Sequence, residues 1–96
     1  MIKSIKGRKT QDIFDGTNSR AAREVHPSLH QRARDLLDAI NAATSPSDLK
    51  IPPSNRLHQL KDDLVGYWSV SINTQYRIIF RWVNGHAESV EITDYH

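Results

Sequence analysis

The stretch YWSVSINTQYRIIFRWVNGHAESVEIT, residues 67–93, carries the strongest structural signal in the sequence. Apolar and polar side chains alternate along 67–72 and again along 76–83, which is typical of strands that bury one face. The dipeptide Asn84-Gly85 comes next, and it is the preferred pair for a two-residue type I′ turn. Residues 86–93 then form the returning strand. The stretch therefore predicts three consecutive antiparallel strands joined by tight turns.

Helical patterns precede this stretch. A helix is predicted over 28–43 because Pro27 marks a first turn and apolar residues then recur at helical spacing. A shorter helix is predicted over 8–16, followed by a polar segment, 16–24, that we expect to be a mobile loop. A capped single turn is expected at 45–49. The apolar residues at helical spacing are Leu29, Ala33, Leu36, Leu37, Ile40 and Ala43.

Two short strands complete the predicted elements, one at 2–5 and one at 57–60. The resulting order is β-α-α-β-β-β-β, and short connections favour antiparallel pairing of neighbouring strands. We therefore predict an α+β fold, with an antiparallel sheet of about four strands packed against two N-terminal helices. Residues 1–96 fit one domain of this size.

Composition and charge limit the classes of function. The chain has no cysteine, so disulfides and thiolate metal sites are excluded. The N-terminus lacks the apolar segment of a signal peptide, and no stretch approaches the ~20 apolar residues of a membrane span, so we expect a cytoplasmic protein. Residues 1–34 carry eight Lys/Arg against three acids, whereas residues 35–96 carry five against eight. This asymmetry suits either a phosphate-binding face or an ordinary solvated helix.

Arg77 and Arg81 share one face of the predicted strand 76–83. The planar guanidinium is suited to phosphate, so this pair is a candidate anion site. The alternative is that both arginines are solvent-facing and pair with Glu88 or Glu91 across the hairpin. The strand pattern leaves both interpretations open.

The C-terminal residues Asp94, Tyr95 and His96, together with His58 on an earlier strand, form a second candidate site. Histidine titrates near neutral pH and commonly transfers protons. RNA can be cleaved when a 2′-OH of the strand attacks the adjacent phosphate. This reaction needs a base, an acid and cations at the phosphate, but no metal or cofactor. The residue types named here, together with Arg77, are sufficient for it. The alternatives are a frayed polar tail or a metal set of His58, Asp94 and His96.

A second metal alternative comes from His26 and His30, which are spaced i, i+4. That spacing suits zinc on a helix, but Pro27 places His26 at or before the helix start, so the two rings are expected to diverge. The sequence contains no GxxxxGK[ST], GxGxxG or GxSxG pattern. Nucleotide-fold and serine-hydrolase functions therefore have no support.

Five blocks in order resemble the HigB and GraT toxins of the RelE superfamily, and the resemblance covers essentially the whole chain. The terminal Asp-Tyr-His after an Asn-Gly hairpin is the most specific block. The blocks are Met1-Ile2-Lys3-Ser4-Ile5, Arg56-Leu57-His58-Gln59-Leu60-Lys61, Gly66-Tyr67-Trp68-Ser69-Val70, Gln75-Tyr76-Arg77-Ile78-Ile79-Phe80 and Asp94-Tyr95-His96.

The resemblance implies a RelE-like fold and a metal-independent, ribosome-dependent endoribonuclease that cleaves mRNA in the A site. By position, the family's functional residues fall on His58, Arg77 and the terminal Asp94, Tyr95 and His96. In this interpretation His58 and His96 transfer protons, and Asp94 orients an imidazole or acts as base. Tyr95 stacks on a base or hydrogen-bonds the phosphate.

The same resemblance assigns cationic residues to the RNA. Arg77 would hold the scissile phosphate, and Lys61 and Arg56 would assist as RNA-binding residues. Arg81 is interpreted as structural.

The family also implies partners. These are a HigA-type helix-turn-helix antitoxin, the ribosome with mRNA in its A site, and operator DNA through the antitoxin alone. A rival hypothesis is a non-catalytic inhibitor that binds the ribosome and leaves the Asp-Tyr-His end inert. Another is a DNA-binding module, although no helix-turn-helix pattern is visible.

Overall fold

The computed structural model describes residues 1–95 and consists of two α-helices and a four-stranded sheet. Short 3-10 turns connect several of these elements. The helices and strands, in chain order, are α1 (Arg8–Asp15), α2 (His30–Ala42), β1 (His58–Gln59), β2 (Tyr67–Ser71), β3 (Tyr76–Val83) and β4 (His86–Asp94).

The sheet follows the order of the chain. The strand order is β1-β2-β3-β4, and every neighbouring pair is antiparallel. Asn84 and Gly85 both have positive φ, at 52° and 82°, which is the geometry of the predicted type I′ turn. The prediction of an antiparallel sheet packed against two helices is confirmed.

The core lies between the helices and one face of the sheet. Val70, Ile78 and Ile92 lie side by side on β2, β3 and β4. Phe80 lies two residues after Ile78 on β3 and points to the same face. All four are almost completely buried. Apolar residues of the two helices complete this cluster: Ile13, Ala33, Leu36, Leu37 and Ile40. Burial of this apolar surface is the main force that holds the helical layer to the sheet.

The helix boundaries follow from local chemistry. Gly16 ends α1 in the left-handed conformation, with φ 77°, and its amide donates to the carbonyl of Ile13. The predicted helix 28–43 is in part a 3-10 turn, Pro27–Leu29, that leads into α2. The expected single turn is a 3-10 helix, Pro46–Lys50, capped by Ser45.

The predicted strand at 2–5 is wrong in detail. Ile2 and Ile5 form isolated parallel bridges to Ala87 and Val90 of β4 instead of a continuous strand. These two isoleucines are three residues apart and both pack against the core, so the two-residue alternation of a strand is not maintained. The segment nonetheless lies along the outer edge of β4.

The segment 16–24 is anchored, contrary to the expected mobile loop. Ser19 Oγ donates to Asp12 Oδ2 at 2.6 Å, and Ala22 is fully buried. Buried His30 donates from Nε2 to the carbonyls of Ala22 and Val25, both at 2.8 Å. These contacts fix the segment against α2. None of the helices within residues 1–95 is long and apolar enough to cross a bilayer.

Candidate active site

The sheet face turned away from the helices carries the predicted polar residues. Directly paired residues on neighbouring strands point to the same face. Ser69 pairs with His58, and Arg77 pairs with Ser71 on one side and Thr93 on the other. His58 and Arg77 therefore lie on one face, opposite the core.

A cleft of about 760 Å³ opens at the end of the sheet where β2 turns into β3. Its walls come from α2, the connector before β1, the β2–β3 turn and the C-terminal segment. Among the described residues it is lined by Arg32, Ser54, Arg56, His58, Ser71, Ile72, Asn73, Thr74 and Tyr95.

His58 is exposed in this cleft and its ring orientation is defined. Its Nδ1 donates to the carbonyl of Arg56 at 2.9 Å, since a carbonyl can only accept. That bond occupies Nδ1 and leaves Nε2 as the ring nitrogen open to a substrate. Arg56 has a left-handed backbone, with φ 50°, which turns its carbonyl back toward the imidazole.

Arg77 and Tyr95 form a stacked pair beside His58. The guanidinium carbon of Arg77 lies 5.1 Å from the centre of the Tyr95 ring, within the range of a cation–π contact. Arg77 Nε also donates to Thr93 Oγ1 at 3.4 Å. Neither Glu88 nor Glu91 forms a salt bridge with Arg77, and the cation therefore keeps donors for an anion.

The C-terminal segment is held to the β2–β3 turn as far as it is described. The backbone N–H of Tyr95 donates to the carbonyl of Gln75 at 2.8 Å, and Gln75 Nε2 donates to Asp94 Oδ2 at 3.1 Å. A frayed tail is therefore excluded up to Tyr95. Asp94 pairs with Tyr76, whose ring packs on the core, so Asp94 and Tyr95 point to opposite faces. His96 lies outside the described residues.

The remaining predicted residues lie at or beyond the rim. Arg56 lines the cleft, whereas exposed Lys61 begins the turn after β1 and is not part of the lining. Asp94 is also absent from the lining. Arg81 is exposed, lies opposite Glu88 and forms no salt bridge within residues 1–95, and it is not part of the described cleft lining. The structure thus brings together Arg56, His58 and Tyr95, with Arg77 behind Tyr95.

Charge in the cleft has one sign. Of the described lining residues, two are arginines, one is a histidine and none is acidic. A cationic, concave surface of this kind attracts polyanions. No group of three or more metal-ligating side chains occurs within residues 1–95. The histidines considered for zinc have structural roles, because His26 caps the turn at Ser28 and His30 is bonded to two carbonyls.

Sequence reasoning missed part of the cleft wall. Arg32 sits on α2, in a basic segment whose charge pattern fits either a phosphate-binding face or an ordinary solvated helix, and it lines the cleft. Asn55, which follows Pro52-Pro53, is buried and accepts a hydrogen bond from Arg32. No local pattern distinguishes these residues, since only the packing of α2 against the connector brings them together.

The arrangement is suited to transfer at phosphorus. An imidazole with one free nitrogen lies in the same cleft as an aromatic ring that carries a guanidinium on its face. An imidazole can transfer protons, an aromatic ring can stack on a base, and a guanidinium can donate hydrogen bonds to a phosphate.

Comparison with known proteins identifies related sequences and folds. The sequence profile of the HigB-like toxins, described as RelE-like toxins of the type II toxin–antitoxin system HigB, matches residues 9–96. Toxin HigB-1 of Vibrio cholerae is 49% identical over 68% of both chains. Endoribonuclease HigB of Proteus vulgaris is 36% identical over 100% of both.

Solved structures agree on the fold. The YoeB–YefM complex from Staphylococcus aureus contains a chain that superposes with a TM-score of 0.60 at 16% identity, over 100% of this chain and 98% of that one. The YoeB dimer from the same organism gives 0.60 at 18% identity, over 99% and 97%. The resemblance inferred from the five sequence blocks is confirmed, and so is the RelE-like fold.

Proposed function

Because the chain belongs to the HigB-like family of RelE-like toxins of type II toxin–antitoxin systems, we propose that it is an endoribonuclease that cleaves mRNA in the ribosomal A site. The observation that carries the proposal is the cationic cleft whose walls include His58 and Tyr95, with Arg77 stacked on the Tyr95 ring. The full-length similarity to a protein named Endoribonuclease HigB supports the same reaction.

The proposed reaction is attack by the 2′-OH of RNA on its own phosphate. The O2′–P bond forms, the P–O5′ bond breaks, and the products are a 2′,3′-cyclic phosphate and a 5′-OH. One group accepts the 2′-OH proton and another protonates the departing O5′. Negative charge builds up on the non-bridging oxygens of the phosphate on the way, so a fixed cation lowers the barrier. No metal is required by this chemistry.

His58 and His96 are the proposed proton-transfer groups. The Nδ1 bond of His58 to the Arg56 carbonyl supports this role, because it leaves Nε2 to exchange the proton. Asp94 is proposed to orient an imidazole or to serve as base.

Cations and the aromatic ring hold the substrate in the proposal. Arg77 donates to the scissile phosphate from its position on the Tyr95 ring, and Tyr95 stacks on a base or bonds the phosphate. Arg56 lines the cleft and Lys61 lies just beyond it, and both are proposed as contacts to the flanking backbone. Each adds affinity that depends on salt concentration.

The ribosome is proposed to supply substrate geometry. A cleft this open holds a flexible single strand in many orientations, and a bound A-site codon removes that freedom before the toxin arrives. Free RNA should therefore be a poor substrate. This dependence places the proposed activity in the cytoplasm, with residues 1–96 acting as one toxin domain.

The proposed partner outside the ribosome is a HigA-type helix-turn-helix antitoxin. The family is defined by toxin–antitoxin pairs, and a related fold has been solved as the YoeB–YefM complex. In the proposal the antitoxin carries the operator-binding function, and the toxin contacts DNA only through it.

The experiment that tests the function uses ribosomes programmed with a defined mRNA. The 5′ ends of the mRNA are mapped after incubation with the wild-type protein, with His58→Ala, and with a variant lacking His96. We expect A-site cuts that fall by about 100-fold or more in either variant, the usual contribution of a proton-transfer group. Arg81→Gln, outside the cleft, is the matched control and should cut normally.

Blocked translation without cuts would favour the non-catalytic inhibitor instead. Cutting that persists unchanged in both histidine variants would overturn the catalytic assignment while leaving an endoribonuclease.

A further inference from the structure

Arg32 reaches the cleft from the helical layer and is only partly exposed. Its Nη2 donates to Asn55 Oδ1 at 3.3 Å and to the carbonyl of Ser71 at 3.2 Å. Asn55 is itself buried and donates from Nδ2 to the carbonyl of Leu49 at 3.1 Å. The guanidinium is thus bonded to two separate segments of the chain, and Asn55 connects it to a third, so its position in the cleft wall is preorganised.

The rest of this guanidinium is not committed. Guanidinium carries five N–H donors, and within residues 1–95 only Nη2 of Arg32 donates to a protein group. No carboxylate in the described part of the chain forms a salt bridge with it. Nε and Nη1 therefore remain available on the wall of a cleft without acidic lining.

A purely structural role does not explain the positive charge. Both acceptors of Nη2 are neutral oxygens, and a neutral amide donor would satisfy them equally well. A partly desolvated cation without an anionic partner is costly, and such groups are usually paired. The missing partner is therefore expected to be an anion that enters the cleft.

We propose that Arg32 binds a backbone phosphate of the RNA substrate next to the scissile one. The inference rests on the proposed function, because it concerns the same cleft. Arg32 and the His58–Tyr95 wall line one cavity, so a strand whose scissile phosphate lies at His58 passes Arg32 with a neighbouring phosphate. The fixed guanidinium then sets the direction in which the RNA lies across the cleft.

The test measures RNA binding by the isolated full-length protein, apart from any cleavage. The probe is a short single-stranded RNA with 2′-O-methyl groups, which the proposed reaction cannot cut. Its Kd is followed as salt is raised. In Arg32→Gln we expect affinity to fall, and the negative slope of log K, with K the association constant, against log salt to become shallower by about 0.7, the value for one phosphate contact on a single strand.

Arg81→Gln is the matched control, because it removes the same charge from an exposed arginine outside the cleft. Its salt slope should equal that of the wild-type protein. An unchanged slope in Arg32→Gln, an equal loss in both variants, or no salt-dependent binding by the wild-type protein would each overturn the proposal.

A second measurement, by NMR, uses only the wild-type protein and so does not depend on whether a variant folds. In the wild-type protein, the Nε–H resonance of Arg32 should shift when the methylated RNA is added, while that of Arg81 should stay in place. An unshifted Arg32 signal at saturating RNA would overturn the proposal. Failure of the proposed function gives a different result: the wild-type protein would leave the mRNA on programmed ribosomes uncut, although the Arg32 salt slope is as expected.

Discussion

The two faces of the sheet contrast sharply in their side chains. On the helix-covered face, Val70, Ile78 and Phe80 are completely buried among apolar neighbours. On the open face, Arg77 and Thr93 lie beside Ser71 in a row across the same strands. Both faces are built from the same three strands with one alternating pattern. The difference separates stability from chemistry, because changing one set leaves the other set's contacts intact.

The strongest test of this separation is Phe80→Ala. Phe80 is fully buried, and removing its ring from a packed core is expected to lower the free energy of unfolding by about 3–5 kcal/mol. Urea denaturation measures the change. Arg81→Ala is the matched control at the next position on the opposite face, and it should stay within about 0.5 kcal/mol of wild type. A similar loss of unfolding free energy in the two variants would contradict the separation of stability from chemistry between the two faces.

The open face is tested by Arg77→Ala. In the proposal Arg77 donates to the negative charge that develops on the phosphate. Loss of one such donor is expected to slow mRNA cleavage on programmed ribosomes by about 100-fold to 1000-fold. Loss of the contact with Tyr95 should cost only about 0.5–1 kcal/mol of stability. A stability loss as large as that of the core variant would show that Arg77 is part of the structural framework.

Two buried hydroxyls allow a finer comparison. Thr10 Oγ1 accepts from the backbone N–H of Ile92 at 3.0 Å in the core, and Thr10→Val leaves that N–H unpaired at a cost of about 1–3 kcal/mol. On the open face, the Ser69 hydroxyl is buried without a partner in residues 1–95, so Ser69→Ala should not lower stability. Chemical denaturation of both variants checks the difference, and equal losses would contradict it.

The smallest effect is expected at a turn outside both faces. The backbone N–H of Thr44 lowers the pKa of Asp48, and the Thr44 hydroxyl and the Ser45 N–H add to this. Since the folded state has the lower pKa, its stabilising effect is present above about pH 4, the usual value, and is lost as pH falls through the folded pKa. Asp48→Asn should therefore lower the melting temperature slightly at pH 7 and not in acid. An equal deficit at both pH values would contradict this.

Much of the sheet could be predicted because local chemistry determines it. Asn84-Gly85 defines the hairpin, and the alternation around Val70 and Ile78 determines which face is buried. The same alternation predicts which residues share the other face, and it places Arg77 on the open face. The terminal block came from the family resemblance.

What could not be predicted depends on packing between distant segments. Ser89 adopts φ 54° and interrupts the register between β3 and β4, although serine carries no turn signal there. The sequence left open whether Arg32 belongs to a phosphate-binding face or to a solvated helix face, because its partners, Asn55 and Ser71, are 23 and 39 residues away. No single-sequence pattern reports such contacts.

The segment along the edge of β4 has a consequence for how the toxin is made. The Ser89 amide donates to Ser4 Oγ across 85 positions of the chain. The segment that contains Ser4 therefore cannot form this contact until β4 has been synthesised. Closing so long a loop comes late and slowly. Tyr95, part of the cleft wall, directly follows β4 in the chain. A chain that ends before β4 therefore lacks both the edge on which the N-terminal segment lies and the Tyr95 wall of the cleft.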